Sequence, residues 1–168
     1  MRRIEFDHIE RILDLAAQPE GHGRLRLPGV DVTRSFDWMR VERPAVRDLL
    51  EPVNITVPGT YALPGGIGEI RFQIDEIPGP GCANLKLELA VRMKLRAWRP
   101  GDHYRPVGKS RDHKLREMFQ SARIPSWRRA VWPIVESDGN IVWAKEFGAA
   151  EEYAADRDRA PVLRIWEP

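Results

Sequence analysis

Between Arg92 and Arg129 the chain carries nine arginines and three lysines against three acids, Asp102, Asp112 and Glu117. That window is +9, the remainder of the chain −7, and the whole only +2. A near-neutral protein that gathers its cations in one segment has the charge distribution of a polyanion binder, and arginine's planar fork suits phosphate oxygens. Part of the run stands at the start of an expected helix, where backbone N–H groups add to the pull on phosphate. The bland alternative is a solvated polar face. Cations at this density repel one another unless a partner or neighbouring acids offset them, which favours the binder.

Other chemistries find less support. Gly108-Lys109-Ser110 ends like a phosphate-binding loop, but the glycine needed five residues before Gly108 is replaced by His103, and Pro106 stands inside. A basic turn is the better reading. His103 and His113 have no CxxC or HxxxH companion, so no metal is expected. Ser110 and Ser126 lack a nucleophile-elbow context, and no catalytic residue is assigned. The single cysteine, Cys82, cannot form an internal disulfide, which points to a reducing, cytoplasmic setting. No run approaches the roughly 20 apolar residues that span a bilayer, so no membrane partner is expected.

These residues need a frame, and the apolar periodicity supplies one. A first helix is expected over Asp7–Ala17, with Asp7 as N-cap and Ile9, Ile12, Leu13 and Ala16 on its core face. Extended segments follow at Arg24–Leu27 and Val30–Val41, split by Pro28-Gly29, with Trp38 in the core. Beyond Glu42–Pro52 come alternating stretches at 53–57 and 70–74, joined by a turn-rich connection over Pro58–Gly68. Leu85 to Ala97 alternates apolar and polar residues over its whole length and reads as one long strand, with Arg92, Lys94 and Arg96 on its wet face. Arg99-Pro100-Gly101-Asp102 then signals a tight turn. A helix is expected over His113–Ala122 and a short one over Trp127–Val131. A hairpin follows around Ser137-Asp138-Gly139-Asn140, with a last strand at Val162–Trp166. The class is α+β: a mostly antiparallel sheet domain with two short helices, preceded by a small helix-plus-strands segment.

The run Arg99-Pro100-Gly101-Asp102-His103-Tyr104-Arg105-Pro106-Val107-Gly108, followed by Lys114-Leu115-Arg116-Glu117-Met118-Phe119, Arg123-Ile124-Pro125, Arg128 and Trp132-Pro133, resembles the C-terminal region of tRNA(Ile)-lysidine synthases. That family shows a PGDRFxPxG turn, a KLKDFF-like helix, a K-I-P step, an arginine and a proline before a hairpin. His103 stands where the family has arginine, and Arg123 where lysine is common. The resemblance implies two parts: residues 1–48, like the end of a linker domain, and 49–168, a C-terminal tRNA-binding domain.

The resemblance also implies a partner, tRNA, more narrowly the acceptor region of an isoleucine tRNA. It makes Arg99, Arg105, Lys109, Lys114, Arg116, Arg123 and Arg128 the expected contacts, and Pro100, Gly101, Asp102, Pro106 and Gly108 the residues that shape their loop. In the family, ATP and magnesium serve a catalytic domain with an SGGxDS-type loop, which adds lysine to the wobble cytidine. No such loop occurs in these 168 residues. The chain alone is therefore expected to need no cofactor and to hold tRNA without catalysis. The alternative is a module that dimerises or docks on the catalytic domain, through the first helix and Trp98.

Overall fold

The structure, a computed structural model, describes residues 5–45, 49–156 and 161–167. Contacts divide the chain into two compact units, Met1–Arg47 with Arg123–Ser126, and Asp48–Ala122 with Trp127–Pro168.

In the first unit, helix α1 (Phe6–Ala17) precedes an antiparallel sheet of β1 (His22–Leu27), β2 (Val30–Ser35) and β3 (Trp38–Glu42), in that order. The cap of α1 is Glu5 rather than Asp7, because the Glu5 N–H donates to His8 Nδ1 at 3.0 Å. The core face is also turned from the expected one. Leu15 is buried with Leu27 and Val32, whereas Ile9 and Leu13 are exposed. Gly23 contributes to the seating: a Cβ there would come 2.5 Å from Leu15 Cδ1, so any larger residue makes the end of that leucine move. Arg34, which interrupts the apolar row of β2, donates through Nη1 to the carbonyls of Leu15 and Gln18 and so terminates α1. The expected strand Val30–Val41 is a hairpin, broken where Phe36 takes a φ of +55°. Trp38 consequently lies 62% exposed and is not a core residue.

The second unit holds two larger antiparallel sheets. One runs β13 (Gly148–Ala149), β12 (Asn140–Ala144), β11 (Pro133–Ser137), β8 (Met93–Ala97), β4 (Val53–Asn54). The other runs β5 (Gly59–Ala62), β6 (Glu69–Asp75), β14 (Val162–Trp166), β7 (Ala83–Lys86). Ile70, Phe72, Leu85 and Leu163 from the second sheet share one core with Leu95, Val135 and Val142 from the first. A two-residue ladder, β9 (His103–Tyr104) with β10 (His113–Lys114), leads into α2 (Leu115–Ser121), and α3 (Ser126–Arg129) follows. The architecture is α+β and mostly antiparallel.

Three expectations need correction here. The connection Pro58–Gly68 contains a strand, β5, paired with β6. The long strand Leu85–Ala97 is two strands in different sheets, separated by a 3-10 turn at Leu87–Val91. Leu85, Leu89, Met93 and Leu95 are still buried, as alternation requires, but Val91 at the corner is exposed. Finally, α2 starts two residues late, because His113–Lys114 are first spent pairing with β9.

The hairpin β11–β12 turns as expected: Asp138 and Gly139 both take positive φ, +49° and +83°, which matches the twist of the flanking strands.

Candidate nucleic-acid interface

The turn after β8 is built on a buried arginine. Arg96, expected on a wet face, is 5% exposed. Its Nη1 and Nη2 donate to Asp102 Oδ2 and Oδ1 at 2.9 and 3.1 Å, and its Nε donates to Glu136 Oε2 at 2.5 Å. Burial works to lower the affinity of this guanidinium for its proton, but the hydrogen bonds and charges of Asp102 and Glu136 leave it raised overall. Asp102 also accepts the Arg99 N–H at 2.6 Å, and its own N–H returns to the Arg99 carbonyl at 3.0 Å. Its carbonyl takes the Leu115 N–H at 3.0 Å, tying the turn to the first residue of α2. Pro100 and Gly101 form the exposed tip, Gly101 at φ +100°.

The loop beyond is pinned as well. Pro106 is buried and bridges Ala150. The Val107 N–H reaches the Ala149 carbonyl at 3.0 Å, and the Glu151 N–H reaches the Arg105 carbonyl at 2.8 Å. Gly108, at φ +79°, donates its N–H to Glu151 Oε2 at 2.8 Å, so a carboxylate already takes the amide that a phosphate-binding loop would offer. Lys109 projects outward from this fastened loop. Arg105 is half-buried, 3.5 Å from Glu152, and its buried Nε has no hydrogen-bond partner.

Residues 93–166 match the family described as "TilS substrate C-terminal domain". The tRNA(Ile)-lysidine synthase of Solibacter usitatus is 38% identical over 181 aligned residues, which cover 99% of this chain and 40% of that protein. That of Geobacter sulfurreducens is 32% identical, over 85% of this chain and 32% of its own length. A crystal structure of a TilS C-terminal domain superposes with a TM-score of 0.60 at 26% identity, covering 70% of this chain and 96% of that one. Over residues 93–166 the chain belongs to the C-terminal domain family of tRNA(Ile)-lysidine synthases. It spans about 40% of the length of the Solibacter relative.

The part matched by the domain family begins at β8 and ends at β14. It therefore takes in the turn, the fastened loop, both short helices and the hairpin. Lys114, Arg116 and Arg128 are exposed on these elements, as is Arg99. Two further cations join them. Arg129 lies over the Phe119 ring at 5.7 Å, and its proton affinity is pushed down by burial and then by the charge of Arg116. Burial likewise lowers Lys145, with Glu146 acting to raise it and Arg128 to lower it; Glu167 forms an ion pair with its ammonium. Arg116 thus stands near Arg129, and Arg128 near Lys145. Lys145 lies outside the basic window and carried no signal in the sequence, because a hairpin strand alone brings it back to α3.

Arg123 is placed differently from the other expected contacts. It takes a φ of +51°, donates to Asp37 Oδ2 at 3.1 and 2.6 Å and covers the Phe36 ring at 5.1 Å, all within the first unit. The tryptophans are mostly packing residues. Trp98 meets Phe119 edge-on at 5.0 Å, Trp132 does so at 5.4 Å, and Trp143 is 5% exposed. His103 and Asp112 approach at 3.8 Å, and among the described residues no group of three or more His, Cys, Asp or Glu could hold a metal ion.

Proposed function

We propose that this region holds tRNA for the lysidine synthase reaction, ATP-dependent addition of lysine to the wobble cytidine of an isoleucine tRNA by a separate catalytic domain. The observation that carries this reading is the coincidence of the family match with the fastened loop and helices that expose Arg99, Lys109, Lys114, Arg116 and Arg128. Pinned backbone matters, because cations already held in place bind phosphate with less ordering cost. Arg105 joins the set at the loop's base, and Arg123 joins it only by exchanging Asp37 for a phosphate. The contacts are to backbone phosphate, which positions RNA without reading its sequence. Among the described residues no helix is long and apolar enough to cross a membrane, and the reading places the protein with tRNA in the cytoplasm.

The five exposed cations alone predict that affinity for a tRNA transcript falls by about 10² to 10³ between 50 and 200 mM salt, since each neutralised phosphate releases counterions. Filter binding across that range tests it. No binding at low salt, or binding indifferent to salt, would sink the reading.

A second reading has one specific observation behind it. Phe6, Ile9 and Leu13 line one side of α1 and are 73%, 49% and 62% exposed, an apolar face suited to a protein partner such as a second copy or the catalytic domain. Sedimentation of the isolated chain separates the two: a tight dimer whose mass does not respond to tRNA supports docking.

A further inference from the structure

We infer that Arg96 is a positioning residue for the RNA grip: it never meets RNA, and it sets the shape of the cationic surface from inside the sheet. The inference rests on the tRNA-holding function proposed above.

The geometry is specific. Arg96 lies on β8, between β11 and β4, with its side chain 6% exposed. All three of its guanidinium nitrogens donate to carboxylates, two to Asp102 and one to Glu136, and Nη1 also reaches the Ala97 carbonyl at 3.0 Å. Only a planar fork can make the paired contact to Asp102 while turning a third edge to Glu136. A lysine at this place keeps the charge and loses the geometry.

Asp102 transmits the constraint. Its carboxylate takes the Arg99 N–H, and its carbonyl takes the Leu115 N–H that opens α2. Fixing this one residue therefore fixes where Arg99 leaves the turn and where Lys114 and Arg116 enter the helix. A buried ion cluster is a poor stabiliser, since desolvation of the charges offsets their attraction. Its retention under a phosphate-binding turn is better explained by the single conformation it imposes.

Two variants of the full chain test the inference. Arg96→Lys keeps the charge without the fork. The triple variant Arg96→Gln with Asp102→Asn and Glu136→Gln keeps hydrogen-bonding groups and leaves no carboxylate of the cluster without its cation, so the comparison stays readable if Arg96→Lys fails to fold. Each is checked for folding by circular dichroism and melting, then titrated with a tRNA transcript at several salt concentrations. The expected result is a folded protein that binds about tenfold more weakly, with the salt slope reduced by about one unit for each cation no longer placed on a phosphate. A purely structural role would lower the melting temperature and leave the folded protein's affinity and salt slope untouched. Wild-type affinity and slope in either folded variant overturn the inference. Failure of the wild-type chain itself to bind tRNA overturns the functional reading instead.

Discussion

Pro106 and Ala150 face each other across a lone antiparallel bridge, and this contact fastens the cationic loop to the segment after β13. Two neighbouring acids beyond that bridge do opposite things. Glu151 holds the Gly108 amide and keeps the loop in place, whereas Glu152 lies 3.5 Å from Arg105 and competes for it. Glu151→Ala is therefore expected to weaken tRNA binding several-fold although it removes a negative charge. Glu152→Ala is expected to strengthen it by a similar factor. Titration of both variants with one transcript at one salt concentration decides the matter; equal effects in the same direction would mean that only net charge counts.

Single substitutions of the exposed cations should divide by placement. Arg99→Ala and Lys114→Ala are each expected to lower affinity severalfold and to reduce the salt slope by about one unit. Arg24→Ala removes the same charge from the first unit, where Arg24 is paired with Asp31 at 2.6 Å, and should leave the slope unchanged. Slopes measured side by side would expose a purely long-range charge effect, because all three would then move together.

Tyr104 makes stability sensitive to alkali. Burial raises its hydroxyl well above the ordinary value of 10.0, and the neutral hydroxyl donates to the Gly148 carbonyl at 3.2 Å. The raised value means that this group's contribution is complete below pH 10 and is lost as the pH climbs from there toward the folded-state value, by about 1.4 kcal/mol per unit. Tyr104→Phe should cost about 1 kcal/mol at pH 8 for the missing hydrogen bond, and the gap should narrow by pH 11. Urea denaturation at the two pH values measures this directly.

In the first unit, Arg34→Met should strip two carbonyls of α1 of their donor and destabilise that unit by about 1–2 kcal/mol. Gly23→Ala should cost about 1 kcal/mol or more, because Leu15 must move to admit the new methyl. Melting of the variants, followed through the helical signal, reads both.

Much of this architecture could be read from residue order, and the misses share a cause. The Arg99–Asp102 turn, the hairpin at Asp138-Gly139 and the strand Val162–Trp166 declare themselves through local chemistry: a Pro-Gly-Asp run, two residues suited to positive φ, an apolar stretch of strand length. The corner at Leu87–Val91 does not, since period-two alternation looks alike in a straight strand and in two strands sharing a core across a bend. Alternation alone puts Arg96 on the wet face. Its burial depends on Asp102, six residues on, and Glu136, forty residues on, and pairwise neutralisation at that distance leaves no periodic trace. Trp38 and the α1 face erred the other way, because a three-stranded sheet is too small to cover every apolar side chain around it. For the candidate surface, the basic window marks the segment, but the folding back of β12 adds Lys145 and the first unit takes up Arg123.

The corner at Leu87–Val91 also has a mechanical result. Consecutive stretches of one chain belong to two different layers there, with Leu85 in one and Met93 and Leu95 in the other, all in a common core. Sliding of one layer past the other would have to stretch this short covalent strap. The platform beneath the cationic turn is thereby braced against shear, so under the proposed function a tRNA would have to fit itself to this surface rather than the reverse.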